Sequence, residues 1–192
     1  MGQKFAAYDA NGNVIAYYDD IDSPIPHCVT AIEITDAQWL GCISSQGWRV
    51  SDGTLVAPVP PTFAELLVEA QRVQTQVIDS ACASAITAGF SCDALVSGTP
   101  YHYPSNVTDQ ANLSASVLAS LLPGNTADWV TPFWCADERG VWGYRLHTMV
   151  QIQVVGACGK TAITGFIGRK IVLDGQIKAA TTVDAVQAVS WS

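Results

Sequence analysis

The chain has 192 residues, room for one or two domains, and 49% of them are hydrophobic against 14% charged, so it can build real cores and still have apolar surface left for other chains. Its formal charge of −8, with no Lys or Arg cluster, argues against nucleic acid and against anionic membrane surfaces, both of which demand grouped basic side chains. The start Met1-Gly2-Gln3-Lys4-Phe5 lacks the charged and apolar regions of a secretory leader, and no apolar run approaches the ~18 residues of a membrane span.

Phe5-Ala6-Ala7-Tyr8 and Val14-Ile15-Ala16-Tyr17-Tyr18 flank Asp9-Ala10-Asn11-Gly12-Asn13, where Asn-Gly supplies the positive backbone angles of a tight turn, so this is a hairpin. An acidic loop from Asp19 to Pro26 follows, then a strand over Thr30 to Ile34. Thr35 with Gln38 three residues later spells a capping box that opens a short helix carrying Trp39 and Leu40. Trp48-Arg49-Val50, Ser51-Asp52-Gly53 and Thr54-Leu55-Val56 read as a second hairpin. Residues 1–57 thus form a small β-rich module.

Pro58, Pro60 and Pro61 stop any strand from running on, and Thr62 with Glu65 is a further capping box. Phe63, Leu66, Ala70, Val73, Val77, Ala81 and Ser84 recur at spacings of three and four, one stripe of a helix about 40 Å long that Gly89 terminates. An antiparallel partner in the same chain and a short coiled coil between identical chains both satisfy that stripe. Leu66, Ala70, Val73 and Val77 are its candidate interface residues for an oligomer or a partner chain.

Beyond this helix, Phe90 to Cys92 and Thr99 to Tyr103 read as short paired strands. A helix over 107–122 carries Leu113, Val117, Leu118 and Leu121 on one face and is closed by Pro123-Gly124. Next comes an aromatic hairpin, Trp129 to Cys135 and Val141 to Leu146, turned at Asp137-Glu138-Arg139-Gly140. Thr148 with Gln151 caps a helix that runs to Leu173 despite Gly156, Gly159, Gly165 and Gly168, before Asp174-Gly175 breaks or kinks it. Each of those glycines costs about 1 kcal/mol against alanine, and close approach of another backbone is the reason expected for keeping them. This helix is the natural partner of the one at 63–88. A last short helix follows Thr181-Thr182 and continues to Trp191.

Catalytic chemistry has little to stand on. His27, His102 and His147 lack metal-protease spacing, and there is no nucleophile elbow, phosphate loop or dinucleotide fingerprint. Asp137 and Glu138 are neighbours in a turn, a poor way to hold two carboxylates across a sugar ring. No catalytic residue, metal ligand or cofactor is therefore expected. Cys28, Cys42, Cys82, Cys92, Cys135 and Cys158 read chiefly as buried small hydrophobes; were disulfides to form, Cys82 with Cys92 or Cys28 with Cys42 are the pairs closest in sequence. Trp134, Trp142 and Tyr144 are a candidate aromatic surface for a ligand or a partner chain, set against a reading in which the hairpin is aromatic because it is core.

Tyr8-Asp9-Ala10-Asn11-Gly12-Asn13-Val14, Tyr18-Asp19, Asp22-Ser23-Pro24, Ala31-Ile32-Glu33-Ile34-Thr35 and Gln38-Trp39, in that order, resemble the N-terminal part of tailed-bacteriophage tail fibre assembly proteins and related tail proteins. The remainder is similar to a phage domain of unknown function that often follows such modules, through Ile86 to Phe90, the Trp129 to Tyr144 hairpin and Ile177 to Val186. The resemblance implies a virion-tail protein made in the bacterial cytoplasm, with fibre or baseplate chains as partners. It brings no catalytic residues.

The expectation is an α+β protein with a β-hairpin and helix module at 1–57, a proline linker and long helix at 58–90, and a C-terminal helical domain with short hairpins at 91–192. Its expected role is that of a non-enzymatic structural or adaptor component of a tail fibre or baseplate. A homo-oligomer is expected, a trimer among the candidates, with no nucleic acid and no membrane insertion. The alternatives are a fibre assembly chaperone absent from the finished virion, and a glycan-binding tip protein.

Overall fold

A locked turn sets the first strand pair. Strands β1 (Lys4–Tyr8) and β2 (Val14–Asp19) run antiparallel with Phe5 opposite Tyr18, and Asp9 accepts the amides of Asn11 and Asn13, each at 2.9 Å. Gly12 has φ +80°, and a Cβ there would run into the Val50 carbonyl, so both its conformation and its space demand glycine. The structure, a computed structural model, describes residues 2–191 and divides after Thr62 into two units. It is α+β.

In the first unit β3 (Ala31–Ile34) pairs with the free edge of β1, giving the order β2-β1-β3. Helix α1 (Asp36–Ser44) starts at the expected box: Gln38 N donates to Thr35 Oγ1 at 3.2 Å and Thr35 N to Gln38 Oε1 at 2.9 Å. Strands β4 (Arg49–Ser51) and β5 (Thr54–Val56) form the second hairpin, turned at Asp52 and Gly53, both left-handed. Val50 N donates to Gly12 O at 2.7 Å, which ties this hairpin to the first turn. Ala6, Ile34, Cys42, Val50 and Leu55 make the core.

The second unit begins with α2 (Phe63–Thr87). Gly89, at φ +97°, ends it, and His102 Nε2–H donates to the Ala88 carbonyl at 3.0 Å. Then follow β6 (Phe90–Val96), β7 (Thr99–Tyr103), α3 (Val107–Ser120), β8 (Val130–Ala136), β9 (Trp142–Thr148), α4 (Met149–Ala179) and α5 (Val183–Gln187). The four strands form an antiparallel sheet in the order β6-β7-β8-β9. Phe90, Tyr103, Leu113, Phe133, Ile152 and Val155 fill the space between that sheet, α3 and the first half of α4.

The second half of α4 belongs to another core. Ile78, Leu173, Ile177 and Val186 join α2, α4 and α5. Gln71 Nε2 donates to the Ile177 carbonyl at 3.2 Å, while Cys82 Sγ lies 3.7 Å from the Phe166 carbonyl, so α2 and α4 run antiparallel. Lys170 pairs with Asp79 at 2.8 Å along the seam. Within this unit the long helix has an intrachain partner, as its apolar spacing allowed.

Four expectations need correction. Helix α4 does not break at Asp174-Gly175: Lys170 and Asp174 pair at 2.6 Å one turn apart, and buried Leu173 and Ile177 hold the last turns against α2 and α5. Helix α5 stops at Gln187, and Val189 and Trp191 pack beyond it as irregular chain. Leu118 and Leu121 are exposed, because only Leu113 and Val117 of the α3 set face the core. Cys92 and Cys158 are joined in a disulfide between β6 and α4, 66 residues apart, and neither pair closest in sequence forms.

Candidate functional site

Helix α2 spends one side on the chain and leaves another open. Leu67, Ala70 and Ile78 pack toward α4 and α5, whereas Leu66, Val73 and Val77 are 47%, 43% and 50% exposed and Phe63 is exposed one turn earlier. The structure thus separates the four candidate interface residues: Ala70 belongs to the internal core, and Leu66, Val73 and Val77 form an apolar row in water. Such a row of large side chains on a helix normally meets another helix.

Helix α4 carries a second row that periodicity had hidden, because this helix is apolar on nearly every side. Val150, Val154, Ala157, Thr161, Thr164, Gly168, Ile171 and Gly175 alternate spacings of four and three and are all exposed, with no charge among them. A repeat of seven over eight positions is the spacing of a coiled-coil seam. The glycines divide accordingly. A Cβ on Gly156 would lie 2.7 Å from Val117 Cγ2 and one on Gly159 2.9 Å from Phe90, so these two are required by side chains of the same chain. Gly165, Gly168 and Gly175 would meet nothing within 4 Å. Among the described residues the close backbone approach expected for the α4 glycines is therefore absent.

The aromatic hairpin is two-faced. Strand alternation turns Phe133, Cys135 and His147 inward, where they are buried, and brings Trp134, Trp142 and Tyr144 together on the outer face at 39%, 41% and 74% exposure. Trp134 and Trp142 stack with centroids 6.2 Å apart, and Tyr144 meets Trp134 edge-on at 4.9 Å. These contacts preset the ring orientations. Core packing accounts for Phe133 and Cys135 but not for these three.

Asp137, Arg145, Cys135 and His147, the titratable groups on or beneath the hairpin, are committed to structure. Asp137 accepts the amides of Arg139 and Val141, each at 3.0 Å, and pairs with Arg145 at 3.1 Å; these donors hold its carboxyl below the ordinary range. Arg145 also donates to the Cys135 carbonyl at 2.7 Å and lies over the Tyr101 ring. Burial raises the Cys135 thiol and makes it a poor nucleophile. His147 is sealed in the core with Tyr103. Among the described residues no three His, Cys, Asp or Glu side chains gather to hold a metal ion. No helix of the described residues is long and apolar enough to cross a membrane.

Residues 69–190 match the family model described as a domain of unknown function, DUF4376. No curated protein and no solved structure was found to match the chain.

Proposed function

Since the chain belongs to the DUF4376 family, a domain of unknown function whose description transfers no role, we propose from its own residues that it is a non-enzymatic structural or adaptor component of a bacteriophage tail fibre or baseplate, assembled as a homo-oligomer through α2 and α4. The observation that carries the reading is the charge-free row from Val150 to Gly175, exposed along α4 at heptad spacing. Val150, Val154 and Ile171, exposed on one charge-free stripe, are a liability on a solitary protein and an asset in an assembly. Gly165, Gly168 and Gly175 weaken the helix by about 1 kcal/mol each against alanine, and a Cβ on any of them would meet nothing within 4 Å among the described residues, so a second helix laid on that face gives them a purpose. Identical copies supply the same row and close into a symmetric oligomer without a further partner. The row of Leu66, Val73 and Val77 on α2 offers a second contact of the same kind.

The tail assignment is supported by the likeness of the segment from Tyr8 to Trp39 to tail fibre assembly proteins. The Asp9 turn and the Thr35 box, two landmarks of that segment, are both formed. The test is quantitative mass spectrometry of particles purified from a lysate of the strain that carries the gene. A structural component is present in fixed stoichiometry, a multiple of three if the assembly is trimeric. Its absence from particles, with the chain recovered on fibre protein in the lysate, would make it a chaperone and refute the proposal.

A further inference from the structure

A groove of about 540 Å³ runs between α3 and the outer face of the aromatic hairpin. One wall is Trp134, Tyr144 and Pro132; the other is Asp109, Asn112 and Ser116, at spacings of three and four along one face of α3. Neither the family match nor the assembly reading accounts for this arrangement. From it we infer that the groove binds a neutral saccharide of one or two rings, independently of how the chain assembles.

The two walls differ as the two aspects of a sugar ring differ. A pyranose has an apolar face of C–H bonds that lies flat on an aromatic ring, and a rim of hydroxyls that each give and accept hydrogen bonds. Trp134 supplies the flat surface, and its orientation is fixed beforehand by its stack with Trp142 and its edge contact with Tyr144, so little freedom is lost on binding. The helical wall supplies a carboxylate, an amide and a hydroxyl in sequence. Asp109 holds Asn106 through Oδ2, at 3.0 Å from its amide and 3.1 Å from its side chain; Asp109 Oδ1 and the side-chain polar atoms of Asn112 and Ser116 have no protein partner among the described residues. Seven residues of helix separate Asp109 from Ser116, or about 10 Å at 1.5 Å per residue, the length of a disaccharide.

Charge narrows the class. Asp109 is the one charged side chain in the groove lining, so a sialylated or sulfated sugar meets repulsion and no cation. A proline-rich peptide, the other common guest of paired aromatic rings, would use the flat wall but has little call for three mixed donor and acceptor groups opposite it.

The experiment uses the full chain in saturation-transfer NMR and tryptophan fluorescence titrations with maltose, cellobiose, lactose and di-N-acetylchitobiose, with sialyllactose and a polyproline peptide as comparators. At least one neutral disaccharide is expected to bind and to perturb tryptophan emission, with sialyllactose and the peptide at least tenfold weaker. Asn112→Leu, on an exposed helical surface where the fold does not depend on it, and Trp134→Ala should each weaken binding tenfold or more. Absence of transfer to every neutral sugar overturns the inference. So does preference for the peptide or sialyllactose, or binding that Asn112→Leu leaves unchanged while circular dichroism shows the variant folded.

Discussion

Tyr103 and His147, both fully buried, share a hydrogen bond of 3.0 Å in which the phenol donates to His147 Nε2, because Nδ1–H is already given to the Arg145 carbonyl at 2.9 Å. The pair joins β7 to β9 through the centre of the larger core, with Phe133 edge-on to the imidazole. Its hydrogen bonds fix one tautomer and one protonation state.

Acid should therefore weaken the second unit. Burial, with Arg145 nearby, holds the His147 pKa below its ordinary 6.5. The unfolded chain takes up a proton as pH falls through about 6.5 while the folded imidazole stays neutral, so stability is full above that pH, declines below it, and levels once the folded group also protonates. Denaturant midpoints should be lower near pH 5 than near pH 8, and His147→Gln should flatten that slope. Tyr103→Phe leaves Nε2 unpaired and should cost about 1–3 kcal/mol at neutral pH.

The first unit should respond lower on the pH scale. Asp19 accepts from Lys4 and from the amides of Ile21 at 2.9 Å and Asp22 at 3.2 Å, which lower its pKa to about 2 from 3.8. A depressed carboxylate stabilises above its unfolded value and loses that contribution between about 3.8 and 2. Wild type should exceed Asp19→Asn in chemical denaturation near neutral pH, and the difference should vanish by about pH 2.

The Cys92–Cys158 disulfide closes a loop with a sequence separation of 66, for which chain entropy predicts about 4 kcal/mol of stabilisation. Thiol titration of the oxidised, denatured chain should find four free cysteines, Cys28, Cys42, Cys82 and Cys135, and two more after reduction. The Cys92→Ala/Cys158→Ala variant should unfold at lower denaturant by about that energy.

Glycine substitutions should separate turn from interface. Gly12→Ala forces a side chain into the Val50 carbonyl at positive φ and should destabilise the first unit by about 2 kcal/mol or more. Gly168→Ala meets nothing within the chain and should raise helix stability by about 1 kcal/mol in a monomer while weakening association. Thermal melts and sedimentation of the same samples measure both effects.

Legibility followed the range of the interaction. The Asn11-Gly12 turn, the Thr35 and Thr148 boxes and the Gly89 cap are local devices, written in adjacent residues, and each forms where its letters stand. The Cys92–Cys158 pairing, the packing of Leu173 and Ile177 that helps carry α4 through Gly175, and the seal on His147 depend on residues dozens apart and have no local signature. The face of Trp134 was readable in principle, since alternation puts it opposite Phe133, but the hydrophobic pattern does not say which face meets the core. The row on α4 was obscured because an all-round apolar helix has no dominant stripe until its buried side is known. Asp109, Asn112 and Ser116 gave no warning: their spacing becomes meaningful beside the hairpin.

Sedimentation equilibrium of the intact chain at tens of micromolar, beside Val77→Glu and Ile171→Glu, tests the central claim most directly, because both side chains are exposed in the single chain and their loss should leave its fold intact. The wild type should have a defined mass above that of one chain, and the variants, folded by circular dichroism, should shift toward the monomer. A wild type that remains monomeric, or variants that assemble as the wild type does, would contradict that claim.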